Sequence, residues 1–144
     1  PRDELQREDL RPFAALIAET PPTDFAVMVG HVRYDAIEDT PASLSSAVIT
    51  DLLRKELAYD GVVLTDDLTM GAVTAHCPLG EAALRAVAAG ADMLLIGHDY
   101  DAELAAYNAI LRAVETGALP ESRIDASVRR ILRMKLAHVD AAKG

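Results

Sequence analysis

Two adjacent carboxylates, Asp66 and Asp67, are the residues of this sequence best suited to chemistry. They follow an apolar run at Gly61–Leu64, and burying one carboxylate at a strand end costs free energy, while burying two costs more. If the strand continues through both, their side chains point to opposite faces, so at most one faces a central pocket. The other can cap the next segment or accept hydrogen bonds from backbone N–H groups. A strand-end turn, where Asp is common, explains the pair about as well.

Histidines stand at the ends of two further apolar runs, at His31 and His98. His31 could contact a ligand, act as an acid or base, or be a strand-end histidine satisfied by the protein, and the last role is the most common one. His98 and its neighbour Asp99 would face apart in a strand, so we interpret that pair as mainly structural.

The sequence contains no pattern that indicates a metal site or a nucleotide-binding site. His31, His76 and His98 have no metal-ligand spacing, and the single cysteine, Cys77, excludes an internal disulfide and a cysteine-based zinc site. The glycines form neither GxGxxG nor GxxxxGK[ST], the patterns that cradle phosphates. We therefore expect no metal and no cofactor.

The elements that would position these residues alternate between strands and helices. Short apolar runs predict three strands, at Phe25–Val32, Gly61–Leu68 and Ala91–Asp99. Apolar residues at helical spacing predict helices that begin near Asp9, after Ser43 or Ser45, at Leu79–Ala89, around Leu104–Val114 and after Pro120. Strands that are apolar on both faces and separated by helices predict an α/β fold, a parallel sheet covered by helices.

Charged segments near both ends are predicted to be solvated. Residues 1–8 would be a solvated lead-in, and Arg129, Arg130, Arg133 and Lys135 would form the exposed face of the last helix. Cations suit the carboxyl end of a helix because of its dipole.

Three strands are too few to close a barrel, since an eight-stranded βα barrel typically takes about 250 residues. The chain is therefore either a small open α/β domain or the later part of a barrel. In both cases ligands bind beyond the carboxyl ends of the strands, where His31, Asp66, Asp67 and His98 would gather.

Composition excludes several classes of function. The 144 residues are 51% hydrophobic and 26% charged, which suits one folded domain with a core. The 23 acidic and 14 basic residues give a net charge of −9, which argues against nucleic acid or an anionic membrane as partner. No apolar run approaches the roughly 20 residues of a membrane span. No signal peptide opens the chain, so we expect a cytoplasmic location.

Three segments together form a recognisable set: VMVGHV at Val27–Val32, PASLS at Pro41–Ser45, and YDGVVLTDDLTM at Tyr59–Met70. Two later segments belong with them, at Ala89–Gly97 and Arg123–Lys135. In these segments the chain resembles glycoside hydrolase family 3, specifically its bacterial β-N-acetylhexosaminidases. The segment that contains Asp66 and Asp67 is the most specific part of the resemblance.

The resemblance implies a fold and a mechanism. Residues 1–144 would be the C-terminal part of a TIM-type (β/α)8 catalytic barrel, incomplete in this chain. Asp66 matches the nucleophile of a retaining hydrolase that removes terminal β-linked N-acetylglucosamine from cell-wall-derived glycosides, as in peptidoglycan recycling. Asp67 matches a second Asp typical of the hexosaminidase branch. His31 and Met70 stand where the family lines its sugar pocket.

The sequence departs from the family pattern in one respect. The K-H-F-P-G-H-G segment, with the loop His and Asp that serve as general acid/base, is not present. An alternative is therefore a non-catalytic truncated relative that acts as a sugar-binding or interaction subunit. A flavodoxin-type regulatory domain is a third reading. An open half-sheet would also expose an apolar edge, which predicts self-association or contact with the missing N-terminal half of a barrel.

Overall fold

A parallel three-stranded sheet organises the chain in the computed structural model, which describes residues 4–97 and 99–141. The strands, in chain order, are β1 (Ala26–Val29), β2 (Arg33–Tyr34), β3 (Glu38–Pro41), β4 (Val62–Asp67) and β5 (Met93–Leu95). The parallel sheet has the order β1-β4-β5, with Ala26 opposite Val62 and Leu64 opposite Met93. All three predicted strands are present, and each is shorter than predicted. The first is shortened because the chain leaves the sheet after Val29.

Helices precede, connect and follow the parallel strands. The α-helices are α1 (Arg11–Glu19), α2 (Gly71–Thr74), α3 (Leu79–Ala89), α4 (Tyr100–Glu115) and α5 (Glu121–Ala141). Leu5–Asp9 and Ala47–Glu56 form wider helices of π type, and Ala42–Leu44 forms a 3₁₀ turn. The prediction for Leu79–Ala89 is confirmed, and Gly90 ends that helix with φ +123°, a conformation that other residues rarely adopt.

Two segments are more ordered than the sequence suggested. The polar stretch after β1 forms an antiparallel hairpin from β2 and β3, with Arg33 paired to Asp39 at 2.8 Å. The prediction that residues 1–8 are a solvated lead-in is wrong for Leu5, which is buried. Residues 1–3 and His98 lie outside the described residues.

Helices cover only one face of the parallel sheet in the described part of the chain. Val27, Val29 and Val63 on that face are buried in an aliphatic core. On the other face Met28 and Met93 are 52% and 45% exposed. The predicted α/β fold, a parallel sheet covered by helices, is confirmed, and the exposure of Met28 and Met93 shows that the cover is incomplete on one face. Alternation alone does not assign a face to Asp66, because β4 shifts register against β5 between Leu64 and Asp67.

A buried carboxylate at the amino end of β5 was missed by the sequence reading. The Asp92 side chain is fully buried and accepts hydrogen bonds through both oxygens. Its Oδ2 lies 2.6 Å from an Arg54 nitrogen and 3.0 Å from the Val63 N–H, and its Oδ1 lies 2.6 Å from the Ser127 hydroxyl. A buried carboxylate persists only with such partners, so this cluster joins β4, β5 and α5.

The last helix contributes to the same cluster. Arg130 lies 3.2 Å from Asp92 Oδ1 and 2.9 Å from Asp60, which also pairs with Arg133 at 2.9 Å. The prediction of a solvated face is therefore wrong for Arg130, whereas Arg133 is 50% exposed, in agreement with it. Both side chains anchor α5 across the amino ends of the strands, at the opposite end of the sheet from Asp66. Among the described residues, no helix is both long and apolar enough to cross a bilayer.

Candidate active site

The carboxyl ends of β1 and β4 bring three of the predicted site residues together. Because Val29 pairs with Thr65, the segments that follow the two strands lie side by side. His31 reaches across this junction to the main chain of Asp67, and Asp66 is the preceding residue of β4. The predicted gathering of His31, Asp66 and Asp67 at one edge of the sheet is confirmed.

Asp66 is the first of the two carboxylates at the carboxyl end of β4. Its side chain is half-buried, and its Oδ1 accepts a hydrogen bond of 2.8 Å from the main-chain N–H of Asp67. This bond orients the carboxylate at the end of a rigid strand. The arrangement suits a nucleophile, which must be held in one direction while keeping an oxygen available to a ligand.

Asp67 turns its side chain into the following loop instead. Its Oδ1 accepts from the Thr69 N–H at 2.9 Å and from the Thr69 hydroxyl at 2.8 Å. The Asp66 carboxylate thus binds the next N–H of the chain, while that of Asp67 binds the loop that follows. A contact between Asp67 and sugar remains a prediction.

His31 is 9% exposed, and both of its ring nitrogens have protein partners. Nδ1 lies 2.7 Å from the Ser43 hydroxyl and Nε2 lies 2.8 Å from the main-chain oxygen of Asp67. A carbonyl oxygen only accepts, so Nε2 must carry a proton. In the neutral ring Nδ1 then accepts from Ser43. These bonds match the satisfied strand-end histidine considered from the sequence, whereas lining of a sugar pocket by His31 remains a prediction.

Two nearby residues complete the arrangement. Met70 is exposed and donates its N–H to the same Asp67 oxygen at 3.1 Å, at the start of α2. Ser43 was considered only as a possible helix cap. Its hydroxyl bonds to His31, and Ser45 instead accepts from the Val48 N–H at 3.1 Å. The sequence alone does not distinguish a serine that caps a helix from a serine that contacts a distant histidine. The contact between Ser43 and His31 could therefore not be predicted.

Other sites in the described part of the chain offer less chemistry. No three His, Cys, Asp or Glu side chains there converge as metal ligands. An apolar groove lies beside β1 and is lined by Leu5, Phe13, Met28 and Val32 among others, but not by Asp66. The carboxyl ends of the strands are therefore the candidate site.

Comparison with known proteins identifies relatives of the chain. Residues 1–134 match the model of the glycosyl hydrolase family 3 N terminal domain. A relative named beta-hexosaminidase LpqI, from Mycobacterium tuberculosis, is 37% identical over 142 residues, which cover 94% of this chain and 35% of the relative.

Solved structures of the same family share the fold. A family 3 β-N-acetylglucosaminidase from Paenibacillus sp. superposes with a TM-score of 0.88 at 48% identity, covering 94% of this chain and 26% of that one. The β-N-acetylglucosaminidase from Thermotoga maritima gives a TM-score of 0.87 at 32% identity, covering 93% and 29%. The chain thus spans about a quarter to a third of these relatives. The predicted resemblance is confirmed, and so is the α/β fold of an incomplete barrel.

Proposed function

Because this chain belongs to glycosyl hydrolase family 3, we propose that it forms part of the active site of a retaining hydrolase that removes terminal β-linked N-acetylglucosamine. The observation that carries the proposal is the position of Asp66. Its half-buried carboxylate stands at the carboxyl end of β4, with one oxygen held by the Asp67 N–H. The names of the relatives support the substrate class.

In the proposed reaction Asp66 first forms a bond to the anomeric carbon and later leaves it. Its free carboxylate oxygen attacks the anomeric carbon, the glycosidic C–O bond breaks, and the departing oxygen takes a proton from a general acid. Water then attacks the same carbon and gives a proton to the same acid/base group, the bond to Asp66 breaks, and the configuration is retained. In the family resemblance the general acid/base comes from the K-H-F-P-G-H-G segment and its loop, which this sequence does not contain.

The proposal extends to cell-wall-derived substrates, which rest on the family resemblance. It also extends to a protein partner for the open sheet face, where Met28 and Met93 are about half exposed. The partner would be the rest of a barrel or a second copy of the chain. The second candidate, a non-catalytic sugar-binding or interaction subunit, is favoured by that same exposed face.

Hydrolysis of an aryl N-acetyl-β-glucosaminide tests the proposal, because an aryl leaving group needs little proton assistance. We expect turnover by the chain that Asp66→Asn abolishes. Asp51→Asn, at an exposed carboxylate paired with Lys55, serves as the control and should keep full turnover. Unchanged turnover in Asp66→Asn would overturn the role of Asp66. A folded chain that binds N-acetylglucosamine without turnover would favour the non-catalytic candidate.

A further inference from the structure

Building on the function proposed above, we propose that His31 is a positioning residue that sets the direction of the Asp66 carboxylate through the main chain of Asp67. Three hydrogen bonds in series connect the two side chains. Ser43 Oγ donates to Nδ1 of His31, Nε2 of His31 donates to the Asp67 carbonyl, and the Asp67 N–H donates to Asp66 Oδ1. The lengths are 2.7, 2.8 and 2.8 Å in that order.

The burial of this series favours positioning over contact with sugar. His31 is 9% exposed, Ser43 is fully buried, and both ring nitrogens of His31 are engaged by protein atoms. A sugar hydroxyl could bond to either nitrogen only by displacing one of these partners. Leaving a buried donor or acceptor without a partner is costly, so the ring is committed to the protein.

Other main-chain hydrogen bonds of this segment come from its own turn and from β5. Its carbonyl also accepts from the Met70 N–H at 3.1 Å, and the next residue, Leu68, donates its N–H to Leu95 at 3.0 Å. The Met70 bond lies within the same turn and moves with it. Leu95 belongs to β5, on the far side of β4. His31 therefore adds a side-chain tie from the end of β1 to the end of β4, beyond the ladder pair Val29–Thr65, and a displacement of a reacting group by about 1 Å can cost 10²-fold in rate.

Two conservative variants separate the two bonds of His31. His31→Gln can place an amide N–H near the Nε2 position and keep the bond to the Asp67 carbonyl. His31→Asn can place an amide oxygen near the Nδ1 position and keep only the bond from Ser43. We expect His31→Asn to lower kcat about 10- to 100-fold with KM changed less than about twofold, whereas His31→Gln stays within about fivefold of wild type.

The alternatives predict different patterns. Sugar contact by His31 would raise KM in both variants, and a purely structural role would lower both unfolding temperatures equally while leaving kcat the same in the folded fraction. Either pattern overturns the proposal. His76→Asn and His76→Gln, at an exposed histidine, are the matched controls.

If the wild-type chain has no turnover, that result counts against the proposed function and not against the positioning role of His31. The positioning role can then be tested by NMR. NMR of the ring nitrogens should show a proton on Nε2, shared with the Asp67 carbonyl. The ¹³C shift of the Asp66 carboxyl should move in His31→Asn and stay near wild type in His31→Gln. An unprotonated Nε2, or equal Asp66 shifts in the two variants, would overturn the positioning role.

Discussion

Gly97 lies so close to Asp67 that a Cβ atom at position 97 would be 2.8 Å from Oδ2 of the carboxylate. Real Cβ contacts essentially never come closer than about 3 Å, so one of the two groups would have to move. The carboxylate is held on its other oxygen by the N–H and hydroxyl of Thr69. The close approach of the segment after β5 to the end of β4 therefore depends on glycine at position 97.

Gly97→Ala should disturb the candidate site directly. We expect displacement of the Asp67 carboxylate, loss of about 1–3 kcal/mol of unfolding free energy from overpacking, and lower turnover. Denaturant unfolding and the aryl glycoside assay measure the two effects. Gly71→Ala is the matched control, because a Cβ there meets no atom within 4 Å. Equal behaviour of the two variants would show that the Gly97–Asp67 contact is unimportant.

Asp92→Asn should be among the most destabilising single substitutions at a charged residue. It removes the negative charge that Arg54 and Arg130 face at 2.6 and 3.2 Å, and a broken buried ion pair typically costs about 3–5 kcal/mol. Asp60→Asn removes a carboxylate that pairs with Arg130 and Arg133 but is 57% exposed, so we expect about 1 kcal/mol or less. Urea unfolding of both variants checks the difference. A smaller loss for Asp92 than for Asp60 would contradict it.

Tyr59 should make stability fall in alkaline solution. Burial raises its pKa to about 12, with Asp92 acting in the same direction and Arg54 against it. The ordinary pKa of tyrosine is about 10, so the folded state holds the proton more tightly than the unfolded state. The stabilisation of the folded state by the raised pKa of Tyr59 is complete below about pH 10 and is lost as pH rises towards about 12.

Tyr59→Phe isolates this effect. It removes the hydroxyl that lies 2.9 Å from the Phe25 carbonyl, so we expect a loss of about 0.5–1.5 kcal/mol at neutral pH. Its stability should then fall less than that of wild type between about pH 10 and 12. Urea unfolding across that range is the measurement, with Tyr107→Phe, at an exposed position, as control. Parallel pH profiles for wild type and Tyr59→Phe would refute the prediction.

The open face of the sheet should make the isolated chain associate. Met28 and Met93 are about half exposed there, and β1 and β5 are both edge strands of the parallel sheet. Sedimentation velocity should show mass that rises with concentration. Met93→Lys should reduce this association, while Tyr100→Lys, on the exposed surface of α4, should not. A monomer at every concentration would contradict the prediction.

Local patterns in the sequence determined much of this protein. Apolar runs located the three parallel strands, and helical spacing with a closing glycine located Leu79–Ala89. The change from apolar to acidic residues at the end of β4 located Asp66 and Asp67. These features follow from the two-residue period of strands, the 3.6-residue period of helices and the backbone freedom of glycine, which depend on near neighbours alone.

Only the tertiary structure decided which residues meet across long separations. It joined His31 to Ser43 and to Asp67, 36 positions away, and gathered arginines from two helices around Asp92. It also left one apolar face of the sheet uncovered. Strand register and helix packing set these contacts. Local sequence does not distinguish a serine that caps a helix from a serine in a site. The same holds for an arginine on a solvated face and one in a buried cluster, and for an exposed apolar strand residue and one in a core.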